Sequence, residues 1–441
     1  MKKNIQILLV SFLTCIFSSY SQKKAIKKLA NTDGYEVVLT TKNLKDEKLQ
    51  LYYLYDITKK KVIADSISIS ENEQRVVFKV TKKIIGAIYF IKLKSQNDAI
   101  QIALDNGSKI ELSIDTKITN ISCLSKNINK DFIDFQLNSD KLSKEEKINL
   151  RSNILKKYPN SILNLFFKIE NKINESNPKD IESQLKYRND FFASIDKNDK
   201  RIFLLPNIYK LLYNYIRSLP INNENYTKSI DLLLKGIPCS SMNYKIYTKW
   251  LVSNLSYYES ENLESSYIHL YKNYIEVDKC NNFSDSDKNK NNNTYLSILK
   301  NPMNSKIPDF TMIDKDSTSY TLSKIYPEND YTFIAFFSPT CHHCEVTMPQ
   351  AQAAFENIKN KYPTKKIKLI SILNDTDESK WEQFVLEKNI SSWLNLKSVD
   401  PKKAYQEDFN SYSNPKFFLI DKNGKILLKS LNAIAIEGII K

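Results

Sequence analysis

Two cysteines three positions apart, Cys341 and Cys344, stand between a predicted strand and a predicted helix. The apolar run Tyr331–Phe337 is typical of a buried strand, and residues 345–362 have the pattern of a helix. Cysteines at positions i and i+3 of a first helical turn can close into a disulfide, and the unpaired backbone N–H groups of that turn stabilise a thiolate. The pattern therefore predicts a redox-active dithiol at the N-terminus of a helix.

The order of the two cysteines predicts different roles for them. Cys341 lies at the helix start and is the predicted nucleophile, which attacks a substrate disulfide and forms a mixed disulfide. Cys344 lies inside the helix and resolves that mixed disulfide. Two of the chain's three histidines, His342 and His343, lie between them, and an imidazolium there would stabilise the thiolate and with it the reduced form. We therefore expect the Cys341–Cys344 disulfide itself to be the redox group, with no metal and no added cofactor.

Other features between residues 303 and 441 accompany the dithiol. They are a leading segment, a proline eight residues after the first cysteine, a second helix, and an X-Pro pair before a strand: Ile307–Phe310, Pro349, Trp381 with Phe384–Ile390, and Asn414-Pro415 with Lys416–Ile420. Together with the strand and the CxxC, this set resembles the thioredoxin superfamily, and in particular the exported TlpA-like thiol-disulfide oxidoreductases. The resemblance implies an α/β thioredoxin-like domain over residues 303–441.

The resemblance also implies a substrate site and partners. In that family the proline at the place of Pro415 is cis and faces the CxxC, and the backbone beside it, here at Asn414, pairs with a bound substrate chain. Cysteine-containing protein substrates and a redox-recycling partner at the membrane follow from the same resemblance. Two departures leave the direction open between reductase, oxidase and isomerase. Thr340 replaces the usual tryptophan, and His343 occupies the place of a histidine in strongly oxidising relatives.

Other classes of protein fit the CxxC less well. A peroxiredoxin needs threonine three positions and proline seven positions before its reactive cysteine, and neither Cys341 nor Cys344 has them. Two thiolates and two imidazoles are good copper or zinc ligands, but adjacent histidines at a helix start point in different directions. Two further alternatives are a static disulfide, which would close a very short loop, and a thioredoxin-like envelope binding protein whose redox activity is incidental.

The earlier part of the chain is predicted to form two further regions and a connection. Residues 24–118 contain short strands, such as the alternating Ser66–Ser70, and are predicted to form a β-sandwich. Within them, Asn106-Gly107 supplies the pair that a type I′ hairpin needs. Residues 128–279 change to helical periodicity and are predicted to be α-helical, and the polar residues 280–302 are predicted to be a flexible linker. The expected architecture is a β-sandwich, then an α-helical region, then an α/β domain.

The N-terminus has the three-part pattern of a secretory signal peptide. Lys2 and Lys3 precede the apolar stretch Ile5–Phe17, and small polar residues follow it. This stretch is shorter than the roughly 20 residues that a membrane span needs. We therefore expect residues 1–21 to be removed and the mature protein to lie in the periplasm or cell envelope. The alternatives are a form lipidated at Cys15 and an N-terminal membrane anchor.

The cysteine count limits which disulfides the chain can form. Removal of residues 1–21 leaves five cysteines, so at least one is unpaired. We expect Cys123, Cys239 and Cys280 to be small buried hydrophobes unless two of them form a structural bridge.

The net charge of +15 is spread thinly, and residues 303–441 hold 18 basic and 17 acidic side chains. Binding to a nucleic acid needs a concentrated basic surface, so we expect no such partner. The sequence predicts no oligomeric state.

Overall fold

The computed structural model describes residues 33–440 except 57, 256–261, 376, 400–408, 410, 412–413 and 431–437. The predicted signal peptide, residues 1–21, and Cys15 within it lie outside the described residues. The chain divides into two compact units. The first unit comprises residues 1–176 and 192–213, and the second comprises residues 177–191 and 214–441.

The first unit begins with eight strands in two four-stranded sheets. The strands are β1 (Tyr35–Lys42), β2 (Glu47–Tyr55), β3 (Lys60–Ile69), β4 (Glu73–Val80), β5 (Ala87–Leu93), β6 (Ile100–Leu104), β7 (Ser108–Asp115) and β8 (Lys117–Cys123). The sheet orders are β4-β1-β7-β8 and β3-β2-β5-β6. Side chains from both sheets, including Leu39 and Leu51, are buried in one apolar cluster, which confirms the predicted β-sandwich. The last strand continues to Cys123, beyond the predicted end of this region at residue 118.

The Asn106-Gly107 pair does not form the predicted hairpin. β6 and β7, which flank it, belong to different sheets, so the turn carries the chain from one sheet to the other. Of the pair, Gly107 alone has a positive φ, of 86°, whereas a type I′ turn needs positive φ at both positions. The Asn106 side-chain oxygen instead accepts a hydrogen bond from the Gly34 N–H at 2.8 Å, which holds the turn against the start of β1.

Helices follow the sandwich, as predicted. They are α1 (Ile128–Asn138), α2 (Lys144–Lys157), α3 (Ile162–Asn174), α4 (Ile181–Asn189), α5 (Ile208–Ile216), α6 (Asn223–Leu234), α7 (Met242–Asn254) and α8 (Glu264–Leu270), which a π-helical turn over Tyr271–Ile275 continues. Ser143 and Glu146 form a capping box before α2, because each side chain accepts a hydrogen bond from the other residue's backbone N–H. Across the described part of the chain, no helix is both long enough and apolar enough to cross a membrane.

Most of residues 280–302 form a helix, which corrects the flexible linker that we expected there. The helix, α9, spans Asp285–Lys300 and begins at a capping box formed by Ser284. Its Asn291 and Ile298 side chains are buried. A polar composition misleads here because a mostly exposed helix needs only a cap and a few buried side chains to be fixed in place.

Of the three described cysteines outside the CxxC, two form a bridge. Cys239, in the loop between α6 and α7, is bonded to Cys280, which precedes α9, and their Cα atoms are 5.9 Å apart. Cys123 is buried and free. The pair Cys239–Cys280 therefore realises the structural bridge that the sequence left open, and it ties the α6–α7 loop to the segment before α9.

The C-terminal part of the second unit is the predicted α/β domain. Its elements are β9 (Thr311–Ile313), β10 (Ser319–Thr321), α10 (Leu322–Ile325), β11 (Tyr331–Phe337), α11 (His342–Lys361), β12 (Ile367–Leu373), α12 (Trp381–Glu387), β13 (Leu394–Ser398), β14 (Lys416–Asp421) and β15 (Ile426–Ser430). The sheet order is β10-β9-β13-β12-β11-β14-β15.

The strand β11 lies inside this sheet, between parallel β12 and antiparallel β14. Its alternate side chains enter two different apolar clusters. Phe333 and Phe337 belong to the cluster that includes α11, whereas Ile334 and Phe336 belong to the other. Burial on both faces fixes the strand firmly, so its carboxyl end is a rigid support for the dithiol that follows.

Candidate active site at the start of α11

Cys341 is the N-cap residue of α11, at the carboxyl end of β11. Its backbone N–H donates to the Ser338 carbonyl at 3.2 Å, which closes the turn between strand and helix. Its Sγ accepts the N–H of Cys344 at 3.4 Å. The sulfur thus occupies the place in which a side chain receives the unpaired N–H groups of a first helical turn, and such donors stabilise a thiolate.

Cys344 lies one turn into the helix and has no solvent exposure. Burial raises the pKa of its thiol well above the ordinary value, and the adjoining Cys341 sulfur raises that pKa further. Both cysteines are free thiols in this structure, and Cys341 is half-buried. The two sulfurs therefore differ in accessibility, which is compatible with the different roles predicted for them.

The two histidines between the cysteines are exposed. His342 Nδ1 lies 3.3 Å from the Glu345 carboxylate, with 88% of its side chain exposed. Among the described residues, neither imidazole makes a hydrogen bond to Cys341. Any influence of His342 or His343 on the thiolate must therefore act through solvent, where charge interactions are screened.

The Asn414-Pro415 pair lies beside the dithiol, although it is 73 residues away in sequence. Its peptide bond is cis, as the resemblance implied. The Cys341 Sγ–H donates to the Asn414 carbonyl oxygen at 3.2 Å. The fold thus brings together Cys341, Cys344, Asn414 and Pro415, the four residues predicted to carry exchange and substrate contact.

Four further polar residues surround the site and were not predicted from the sequence. Ser338 is buried, and its hydroxyl donates to the Asp375 carboxylate at 2.6 Å, which anchors the turn before Cys341. Asn374 and Ser411 are also buried and contact each other. One signal was available: Asn374-Asp375 directly follows the apolar strand β12, and parallel neighbouring strands end at the same edge of a sheet.

The remaining histidine, His269, lies in α8 and contacts the Asp231 carboxylate through Nε2 at 2.7 Å. Within the described ranges, no group of three or more His, Cys, Asp or Glu side chains is arranged to hold a metal ion.

Residues 329–426 match the model of a protein family described as thioredoxin-like. The matched segment contains β11, the CxxC, α11, β12 and the cis-proline segment before β14. The C-terminal domain is therefore a thioredoxin-like domain. In this chain that domain follows a β-sandwich and a helical region.

Several solved structures are similar to the chain. A thioredoxin-like protein from Bacteroides caccae is 17% identical, with a TM-score of 0.48 over 60% of this chain and 98% of that one. A domain of a possible thiol-disulfide isomerase from Cytophaga hutchinsonii is 21% identical, with a TM-score of 0.28 over 31% of this chain and 88% of that one. A thiol-disulfide oxidoreductase from Bacteroides fragilis is 20% identical, with a TM-score of 0.26 over 30% of this chain and 96% of that one. No curated protein matches the chain.

Proposed function

We propose that this protein is an exported thiol-disulfide oxidoreductase that acts on protein cysteines through Cys341 and Cys344. The asymmetry of the dithiol carries the proposal. Cys341 is half-buried at the helix N-terminus, whereas Cys344 is fully buried with a raised thiol pKa. Attack on a substrate disulfide needs an accessible thiolate, whereas the second step needs a thiol that does not itself attack the substrate.

In the reducing direction, the Cys341 thiolate attacks one sulfur of a substrate disulfide. The substrate S–S bond breaks, a mixed disulfide to Cys341 forms, and one substrate thiolate leaves. Cys344 then attacks the Cys341 sulfur, its proton passes to a departing substrate sulfur, and the Cys341–Cys344 disulfide forms. The substrate gains two electrons and the protein loses two, so the intramolecular disulfide is the only redox group that the reaction needs.

The same two steps in reverse oxidise a substrate dithiol, and the sequence features leave the direction open. Equilibration of the protein in glutathione buffers distinguishes the two directions. A potential near about −270 mV favours reduction of substrates, whereas one near about −120 mV favours their oxidation. In either direction, a redox-recycling partner, which we place at the membrane, returns the dithiol to its starting state.

Two features support export to the periplasm or cell envelope. The N-terminal segment 1–21 has the composition of a signal peptide. The Cys239–Cys280 bridge is of the kind that persists in oxidising compartments and is rare in the cytosol. Fractionation of cells that express the full chain, or the chain without residues 1–21, tests this part of the proposal, because only the full chain should leave the cytoplasm.

The decisive experiment is capture of the mixed disulfide. A Cys344→Ser variant cannot resolve the intermediate, so it should accumulate a covalent complex with a disulfide-containing protein such as insulin, and a reductant should release the complex. Cys341→Ser should form no complex. Cys123→Ser is the matched control, because Cys123 is a buried free thiol of the other unit, and this variant should behave as the wild type.

A different result would contradict the proposal. Equal trapping by Cys341→Ser and Cys344→Ser would remove the assigned roles, and no trapping or turnover by any variant would reject the oxidoreductase function. Copper or zinc that copurifies in a one-to-one ratio and blocks exchange would instead support a metal-binding protein with the same fold.

A further inference from the structure

Asn374 is a buried polar residue at the end of β12, directly beside the carboxyl end of β11. Only 1% of its surface is exposed. Its backbone N–H donates to the Phe337 carbonyl at 2.7 Å, which continues the parallel pairing of the two strands by one residue. The side chain therefore starts from a rigid position on the same sheet edge as the dithiol.

Both polar atoms of the Asn374 carboxamide make hydrogen bonds. Its Nδ2 donates to the Ser411 carbonyl at 2.7 Å and to the Asn414 side-chain oxygen at 2.8 Å. Its Oδ1 accepts the Ser411 hydroxyl at 3.3 Å. A buried amide with these partners is costly to disrupt, because removal of one group leaves the others desolvated and unpaired. The amide thus clamps the chain on the N-terminal side of Pro415 to the sheet.

Asn414 is the link between this clamp and the nucleophile. Its side chain is held by Asn374, and its backbone carbonyl accepts the Cys341 thiol proton at 3.2 Å. We propose that Asn374 is a positioning residue, which fixes the Asn414 carbonyl against Cys341 and thereby sets the reactivity of that thiol. The proposal rests on the oxidoreductase function proposed above, for which it names a residue that touches neither sulfur nor substrate.

Two contacts act on the Cys341 sulfur in opposite directions. The Cys344 N–H donates to it and favours the thiolate, whereas the Asn414 carbonyl accepts from it and favours the thiol. The balance depends on where that carbonyl is held. Release of Asn414 should therefore make Cys341 more easily deprotonated and, at the same time, leave the expected substrate-contact segment poorly ordered for exchange.

The test uses the full chain and two readouts, the pH profile of Cys341 alkylation and the rate of exchange with a protein disulfide. For Asn374→Ala we expect the alkylation midpoint to move to lower pH, because the Asn414 carbonyl that accepts from the Cys341 thiol is no longer held in place. We expect exchange to slow by about tenfold, which corresponds to 1.4 kcal/mol. Asn395→Ala is the matched control, because that amide bonds the Trp393 and Ile390 carbonyls and does not contact Asn414.

Asn414→Ala tests the same link from its other end and keeps the inference falsifiable if Asn374→Ala does not fold. Asn414→Ala should shift the alkylation midpoint and the exchange rate in the same directions as Asn374→Ala does. The double variant should then give the same values as Asn414→Ala alone. The proposal is overturned if Asn374→Ala matches Asn395→Ala in both readouts, or if the two effects add. Failure of the oxidoreductase function would appear as absent exchange in the wild type, while the alkylation profile would still report on the link between Asn374 and Cys341.

Discussion

An ion pair buried between the helical part of the second unit and its α/β domain gives the sharpest stability prediction. Glu264 begins α8 and Lys429 lies in the edge strand β15, and their side chains are only 6% and 4% exposed. Each has a second partner: Glu264 Oε2 accepts the Met303 N–H at 3.0 Å, and Lys429 donates to the Asn301 carbonyl. The pair therefore joins the helix, the strand and the connection between them.

Lys429→Met removes the cation and leaves the Glu264 carboxylate buried without a charged partner. Breaking a buried pair in this way costs about 3–5 kcal/mol. The Met303 N–H still serves the carboxylate, so we expect the lower end, about 3 kcal/mol. The double variant Glu264→Gln with Lys429→Met removes the stranded charge and keeps an acceptor for Met303. It should therefore be more stable than the single variant, which separates the cost of an unpaired charge from the loss of packing.

Urea unfolding, monitored by tryptophan fluorescence, measures the free energy of unfolding of the second unit. All three tryptophans lie in the second unit and are buried: Trp250, Trp381 and Trp393. At a slope of about 3 kcal/mol per molar urea, a loss of about 3 kcal/mol lowers the midpoint by about 1 M. Lys272→Met is the control, because its pair with Glu276 is 44% exposed on each side and an exposed pair contributes little to stability.

The result that refutes this reasoning is an equal shift for Lys429→Met and Lys272→Met. A double variant no more stable than Lys429→Met would also refute it, because the stranded carboxylate would then not be the cause of the loss.

Two further predictions concern the same unit. Replacing both Cys239 and Cys280 by serine should lower its stability by about 4 kcal/mol, because the bridge closes a loop with a sequence separation of 41, and the midpoint of urea unfolding measures the loss. Gly424→Ala should destabilise more than Gly236→Ala. Both glycines have a φ of +78°. A Cβ at position 424 would lie 2.9 Å from the Tyr326 ring, whereas a Cβ at position 236 would have no other atom within 4 Å. Equal decreases in melting temperature for the two variants would contradict the argument that crowding adds to the backbone strain.

The sequence predicts best what depends on neighbouring residues. The buried strand β11, the dithiol and the helix α11 follow from one short stretch of chain, and the structure has all three. The position of Asn374 directly after β12 was visible in the sequence, but it indicates a place at the site only once β12 is known to lie beside β11. The sheet order places β12 beside β11, and this brings Asn374, 33 positions after Cys341, against Asn414, 40 positions further on.

Two Asn-Gly pairs also show that a local sequence pattern does not determine which strands pair. At Gly424 the pair closes a true hairpin between β14 and β15, and the Gly424 N–H donates to the Asp421 carbonyl at 2.9 Å. At Gly107 an identical dipeptide carries the chain between two sheets instead. A positive φ at glycine is a local property, and both positions have it. Which strands then pair is decided by the burial of whole sheet faces, to which a two-residue turn contributes little.

Burial also decides how the odd cysteine behaves in the exported protein that we propose. Cys123 has no disulfide partner, and in an oxidising compartment a free thiol is a hazard, because its thiolate can attack other disulfides. Here burial raises the pKa of the Cys123 thiol, so the reactive form is disfavoured and access to it is blocked. The same physical effect that suits Cys344 to the resolving step proposed for it thus also disfavours exchange at Cys123. Of the three free thiols among the described residues, only Cys341 is accessible enough to meet a substrate disulfide.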